Sequence, residues 1–398
     1  MKNYKVDIVI PIYNNADLVK NCVDSVLSTT DDNVRIILVD DCSPGNEIPN
    51  LFDNYKKNPR IYLHRSMLNQ GFIGTTRIGA RIGNSSYILF LNSDIIATEK
   101  NWVDKLIPKE KNTAIVGAKL LFPKTHPKLL ADKVQHAGVA VTNNGKDSNG
   151  TERYGIFHIF SGYENDFSEV NRNKKVNTVT GACFLVRRDV WNRLGGWDLS
   201  FGKGVYEDVD FCWRTSERGY NIEYNPSTFL YHYESTGMID KTQHPLQKYG
   251  GQNFQTLLNR WSGRIPLNGD SFYGKGTIER WKEYSNTIIN ATIYLNGKDY
   301  KNAEKCAIKC IDLAPELPGG HYVKAVTLFE NNEHLSSIGY ILSALKTNPI
   351  FWIARFKLIE EFIKTDQVRN AVNQIELVKE VFPNHSEIKR LENMLGIV

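Results

Sequence analysis

Over its first 95 residues the chain alternates short β-branched runs with amphipathic ones. In order these are VDIVIPIYNN, ADLVKNCVDSVLST, VRIILVDD, a polar loop, RIYLHR, the Gly-rich helical stretch NQGFIGTTRIGARIG and the wholly apolar YILFLNSD. Such alternation forces βαβ units and a parallel sheet covered by helices. Two of the strands end in carboxylates, at Val39-Asp40-Asp41 and at Asn92-Ser93-Asp94. Ligands of open parallel sheets bind beyond the carboxyl ends of the strands, so both acidic ends are expected to face one crevice. PIYNNAD follows the first strand where a dinucleotide oxidoreductase would carry GxGxxG, and there is no P-loop. The Gly-rich basic loop that nucleotidyltransferases place after strand one is also missing.

From about Val176 a second cluster reads as strand, helix, acidic loop, helix, strand: VTGACFLVRRDVWNRLGGWDLSFGKGVYEDVDFCWRTSERGY, then NIEYNPSTFLYHYES. Between the clusters, residues 122–177 are polar, rich in Asn, Gly and His, and show no period to which chemistry can be assigned. Residues 236–280 carry several Gly with Pro245 and Pro266, and are expected to be a mobile lid or linker. Lys241, His244 and Lys248 would either close on a ligand there or simply be solvated.

The last part repeats. Pro315, Pro349 and Pro383 are 34 residues apart, and the same register aligns Ile288, Tyr322 and Phe356, then Ala291, Ala325 and Ile359, then Ala303, Ser337 and Ala371. Small or apolar residues in every column, with two helical patterns per unit, resemble degenerate tetratricopeptide repeats. An ordinary helical bundle is the alternative. The expected division is therefore 1–235, 236–280 and 281–398, in keeping with a length of 398 residues.

The net charge of +5 lies wholly in the first part, with 36 Lys+Arg against 31 Asp+Glu up to Tyr284 and 13 against 13 beyond it. A surplus this dilute excludes a nucleic-acid footprint, which needs clustered cations. It fits an anionic small ligand or a weakly basic face toward an acidic surface. No run approaches the ~20 apolar residues of a spanning helix, and the start shows no signal peptide. The six Cys lack any CxxC pair, so they are expected to be buried as small hydrophobes in a reducing compartment rather than bound to zinc.

Taken in order, IVIPIYNN, ILVDDCS, NQGF, LFLNSD, TGACFLV, GGWD, YEDVDFCWR and His232 resemble an inverting glycosyltransferase of family 2 over residues 5–235. The resemblance implies an α/β GT-A fold, a Rossmann-like mixed sheet, followed here by the all-α repeat region. It implies that Pro11, Tyr13, Asn14, Asp40, Asp41, Asn69, Arg77, Asn92 and Ser93 bind the nucleotide, although the two Asp could instead cap helices. Asp94 would hold a divalent cation, Mn²⁺ or Mg²⁺, with His232 as the added ligand that favours Mn²⁺; otherwise His232 is structural. The motif departs from the family's DxD in having Asn92 first, which leaves Asp94 as the main acidic ligand.

Attack by an acceptor hydroxyl needs a base, and the resemblance gives that role to Asp208. Glu207 and Asp210 would bind acceptor hydroxyls, or Asp210 would pair with Arg214 one turn along. An acidic helix N-terminus stabilised by the dipole explains the same cluster, and both can hold. Gly181, Ala182, Trp197 and Asp198 would shape the sugar and acceptor pockets, with Trp197 either stacking on a sugar or packed in the core. The expected activity is transfer of a hexosyl or deoxyhexosyl group from a UDP-, dTDP- or GDP-sugar in surface polysaccharide synthesis. The setting would be the cytoplasm, with peripheral contact at the inner face of the membrane. The repeats would alternatively hold a protein or peptide acceptor or build a homodimer, and the Asn92 replacement leaves a degenerate scaffold as a further reading.

Overall fold

A computed structural model describes residues 4–126, 128–146, 149–233 and 245–396. Its strands are β1 (Val6–Ile12), β2 (Val34–Asp40), β3 (Ile61–Arg65), β4 (Tyr87–Leu91), β5 (Ile95–Ala97), β6 (Thr113–Leu121), β7 (Val134–His136), β8 (Val139–Lys146), β9 (Glu152–His158), β10 (Lys174–Val176), β11 (Cys183–Arg187) and β12 (Asn221–His232). The helices preceding the repeats are α1 (Ala16–Thr29), α2 (Glu47–Asp53), α3 (Gly71–Ile82), α4 (Trp102–Leu106), α5 (Arg188–Leu194), α6 (Glu207–Glu217), α7 (Pro245–Arg260) and α8 (Gly269–Tyr273).

The main sheet runs β10-β12-β6-β11-β4-β1-β2-β3, with β5 on β12 and β7 on β6. β1, β2, β3 and β4 pair in parallel, as the βαβ alternation requires, and β12 is parallel to β6. β11 enters antiparallel between β4 and β6, which makes the sheet mixed. The inner strands β1, β2 and β4 are buried almost throughout, because helices cover both faces and leave no wet side for alternation. α1 is amphipathic: Val19, Cys22, Val23 and Val26, on one helical stripe, are buried against Ile8, Ile10 and Ile36. All six cysteines are unpaired, and Cys22, Cys183, Cys212 and Cys310 are buried.

The described chain forms two compact units, one of residues 1–123, 135–139 and 166–266, the other of 124–134, 140–165 and 267–398. The stretch without a sequence period is thus shared between them. In the second unit β8 and β9 form a two-stranded sheet, Val141 N–H donates to Asn268 Oδ1 at 2.7 Å, and the Phe160 ring lies 5.5 Å from that of Tyr273.

The remaining helices are α9 (Thr277–Asn296), α10 (Tyr300–Leu313), α11 (Pro318–Glu330), α12 (His334–Thr347), α13 (Trp352–Lys364), α14 (Val368–Lys379) and α15 (Ser386–Leu395). α10, α12 and α14 begin at 300, 334 and 368, and α11, α13 and α15 at 318, 352 and 386, so both series advance by the 34-residue step of the prolines. The columns Ala291, Ala325, Ile359 and Ala303, Ser337, Ala371 are wholly buried, because small side chains there let successive helices approach. In the 34-residue register Tyr294 aligns with Leu328 and Phe362, and it is exposed where Leu328 is buried. In the 236–280 segment, Lys241 and His244 lie outside the described residues, and Lys248 is exposed on α7. Residues 245–260 are therefore helix rather than loop.

Candidate active site

The parallel pairing puts the carboxyl ends of β1, β2, β4, β6 and β12 on one edge of the sheet, and the start of antiparallel β11 falls on the same edge. The turn after β4 carries Asn92, Ser93 and Asp94, all half-buried. His232, at the end of β12, pairs in register with Ile95, so its ring returns to this turn. Its Nε2 is 3.2 Å from Asp94 Oδ1 and 3.3 Å from Asn92 Nδ2.

The His232 ring is oriented by Gln135. Gln135 Nε2 donates to the His232 carbonyl at 3.2 Å, and its Oε1 lies 2.7 Å from Nδ1. That arrangement favours a proton on Nδ1 and turns Nε2 toward Asp94. With the ring neutral, Nε2 and the carboxylate would be two lone-pair donor atoms 3.2 Å apart on one corner; with it protonated, they form an ion pair. Imidazole nitrogen with a carboxylate fits Mn²⁺, whose other positions need oxygen ligands. Among the described residues no group of three His, Cys, Asp or Glu that could hold a metal ion converges.

Asp208 sits in the first turn of α6, where Val209 N–H donates to its Oδ1 at 2.8 Å and Gly181 N–H to its Oδ2 at 2.7 Å. The next residue, Ala182, accepts from Asn92 N–H at 2.9 Å. One dipeptide therefore binds both the acidic turn and the acidic helix start. A Cβ on Gly181 would lie 3.5 Å from Asp208 Oδ2, in ordinary van der Waals contact. Glu207 is 5% exposed, and its Oε2 has no hydrogen-bond partner. Burial, and then the Asp208 charge, push its carboxyl up to about 8, against the pull of the Glu207 and Val205 N–H groups.

Tyr13 is 52% exposed beyond β1, beside half-buried Pro11. Asn14, in the left-handed region, donates its N–H to Ser43 Oγ at 2.9 Å. Asp40 is wholly buried and committed: Oδ1 accepts from Ser43 N–H at 2.9 Å, and Oδ2 pairs with Arg65 at 2.6 Å. Asp41 accepts from the Gln70 and Gly71 N–H groups at 2.7 and 2.8 Å, so it caps α3. Burial holds the Asp41 carboxyl above the ordinary carboxylate range despite these donors. Asn69 donates to the Asp41 carbonyl and accepts from Lys203 Nζ.

Several expected contacts give way to structural ones. The Arg77 guanidinium donates to the Gly195 and Trp197 carbonyls at 2.6 Å each, contacts within the protein. Trp197 offers no stacking face. It is wholly buried within 5.2 Å of the Phe90, Phe184, Trp191 and Phe211 rings, with Nε1 on Thr76. Asp210, also wholly buried, takes the alternative partner Arg214 at 2.7 Å and adds Arg260 and Trp261 Nε1. Asp198 caps the turn at Ser200 and pairs with Arg260. Gln135, Arg65 and the α7 residues were missed. Gln135 and α7 lie in stretches without a readable period, whereas Arg65, a cation at a strand end beside VDD, was a signal available in the sequence.

Residues 7–195 match the family model "Glycosyl transferase family 2", and residues 128–283 match "Glycosyl transferase family group 2". The chain is 28% identical over 234 residues to the O-antigen biosynthesis protein RfbC of Myxococcus xanthus, covering 58% of this chain and 17% of that one. It is 37% identical over 93 residues to the poly(ribitol-phosphate) beta-glucosyltransferase of Bacillus spizizenii, covering 23% of this chain and 15% of the other. It spans less than a quarter of the length of both relatives. Among solved structures it is similar to GalNAc-T7, determined with UDP, GalNAc and Mn²⁺, with a TM-score of 0.50 at 14% identity over 72% of this chain and 51% of that one. The mixed-sheet unit therefore has a GT-A-like fold, joined to a helical region, and its residues 7–195 are similar in sequence to glycosyl transferase family 2 domains.

Proposed function

We propose that the chain is an inverting, metal-dependent glycosyltransferase that moves a sugar from a nucleoside-diphosphate donor to a glycan hydroxyl in surface polysaccharide synthesis. One observation carries this reading: Gly181 and Ala182 bind Asp208 and the Asn92–Asp94 turn at once, so a base and a cation corner share one strand edge. The names of the relatives support a polysaccharide acceptor, and the 34-residue helical step supports tetratricopeptide-like repeats.

Asp94 and His232 would hold the cation, which when bound supplies positive charge against the leaving diphosphate. Tyr13 and the turn at Asn14 would lie along the base. Asp208 takes the proton of the acceptor hydroxyl as it attacks the anomeric carbon from the face opposite the diphosphate, which inverts that centre in a single displacement. The Gly181 and Val209 N–H groups fix the carboxylate for that transfer. Glu207, buried beside Asp208, would adjust its environment without adding a second exposed negative charge.

A thermal-shift series with UDP, dTDP and GDP, each with Mn²⁺, tests the reading. One nucleotide should raise the melting temperature, and Asp94→Ala should remove the rise. Absence of a rise with all three nucleotides would overturn it.

A further inference from the structure

The loop that delivers Asp208 has an unusual backbone. Gly202, Gly204, Val205 and Tyr206 all have positive φ, at 60°, 134°, 80° and 70°. For Val205, a β-branched residue, that region is sterically costly, and such a conformation persists only where its surroundings over-determine it. Phe72 N–H donates to the Lys203 carbonyl and the Tyr206 ring lies 5.4 Å from that of Phe254, but one side chain binds three of the loop's carbonyls. Asn253, on α7 and 5% exposed, points its amide into the loop, and Nδ2 donates to the carbonyls of Phe201, Gly204 and Val205 at 2.9, 2.6 and 3.2 Å.

Two turns further along α7, Arg260 reaches Asp210 and Asp198, and Trp261 Nε1 reaches Asp210 at 3.1 Å. α7 therefore grips both the loop entering α6 and the first turn of α6. Glu207 and Asp208 lie between those grips.

We infer that Asn253 is a positioning residue that holds the 201–206 loop so that Asp208 is presented at the sheet edge. This rests on reading Asp208 as the base. Asn253 touches neither Asp208 nor any substrate position described above, and it acts through the carbonyls it binds. Misplacement of a base by about 1 Å costs on the order of 100-fold in rate while leaving remote binding intact.

The test compares wild type, Asn253→Ala, and Asn253→Ala combined with Val205→Gly. Glycine accepts the Val205 conformation without strain, so the double variant should recover the melting temperature lost by the single one, and it serves where the single variant folds poorly. Hydrogen exchange over residues 201–210 should rise in both variants, with the repeat helices unchanged. Release of nucleoside diphosphate from a UDP-, dTDP- or GDP-sugar with Mn²⁺, water serving as acceptor, should fall by about 10–100-fold in both, with nucleotide affinity within about twofold of wild type. Unchanged exchange over 201–210 overturns the inference, whatever the activity. So does a double variant that regains both melting temperature and wild-type rate. A wild type that binds no nucleotide sinks the transferase reading instead, and the exchange result still decides whether Asn253 braces the loop.

Discussion

Gly181 N–H meets Asp208 Oδ2 at 2.7 Å, and this bond fixes which way the carboxylate faces. Asp208→Asn can keep the oxygen that accepts from Gly181 while losing the capacity to take a proton. Nucleotide affinity should therefore stay within about twofold while transfer falls by at least about 1,000-fold, as for a group needed only in the transition state. Equal loss of binding and turnover, measured by titration calorimetry and initial rates, would assign Asp208 to structure.

Glu207 gives a pH dependence with a defined sign. Its carboxyl is pushed up to about 8, from 4.5 in the unfolded chain, so the folded state binds this proton more tightly. The associated stability is complete below pH 4.5 and is lost as the pH rises through about 8. Glu207→Gln, which cannot ionise, should flatten the fall in melting temperature across that window and be the more stable protein at its alkaline end. Parallel curves for the two proteins would refute the assignment.

Trp197 separates packing from recognition. With four rings within 5.2 Å and its Nε1 on Thr76, Trp197→Ala should cost about 3–5 kcal/mol in urea unfolding. Trp197→Phe should cost less and leave nucleotide affinity unchanged. A shift in affinity without a loss of stability would restore a stacking role.

Gly71 is held at φ +71°, and a Cβ there would lie 2.4 Å from Lys203 Cβ. Gly71→Ala should therefore lower stability by about 1–3 kcal/mol, and it should disturb the Asp41 cap on α3. Circular dichroism melts of this variant beside Gly74→Ala, whose Cβ would lie 2.4 Å from Gln70 Cβ on helical backbone without a positive φ, distinguish backbone strain from crowding.

The parallel strands, the 34-residue helical step and the acidic strand ends were legible because each is a local pattern with its own period. The partners of the acids were not. Asp40 and Asp41 stand side by side in VDD, yet one is paired by Arg65 from the next strand and the other caps α3, and no spacing in the sequence separates the two. Trp197 and Arg77 looked like ligand contacts for the same reason: a motif names residues near a site, while burial decides which of them face it. Asn253, Arg260 and Trp261 were invisible because Gly250, Gly251 and Pro245 suggested a loop where the first braces the chain entering α6 and the other two bind Asp210.

A deletion after Ser285 cannot isolate the first unit cleanly. Residues 140–165 belong with the helices, and Tyr163 donates to the Thr347 carbonyl. The truncated protein should aggregate or be cleaved within 140–165, as limited proteolysis followed by mass spectrometry would reveal. A stable, intact truncation product would contradict this.

The interleaving also sets an order of events during synthesis. The β8–β9 hairpin leaves the ribosome about 100 residues before the first helix of its own unit, which at roughly 5–20 residues per second is a wait of about 5–20 s. During that interval the forming sheet must carry a tethered, partnerless hairpin. Its ends carry charge at Lys146 and Glu152, and charged residues on an exposed strand pair disfavour joining another chain.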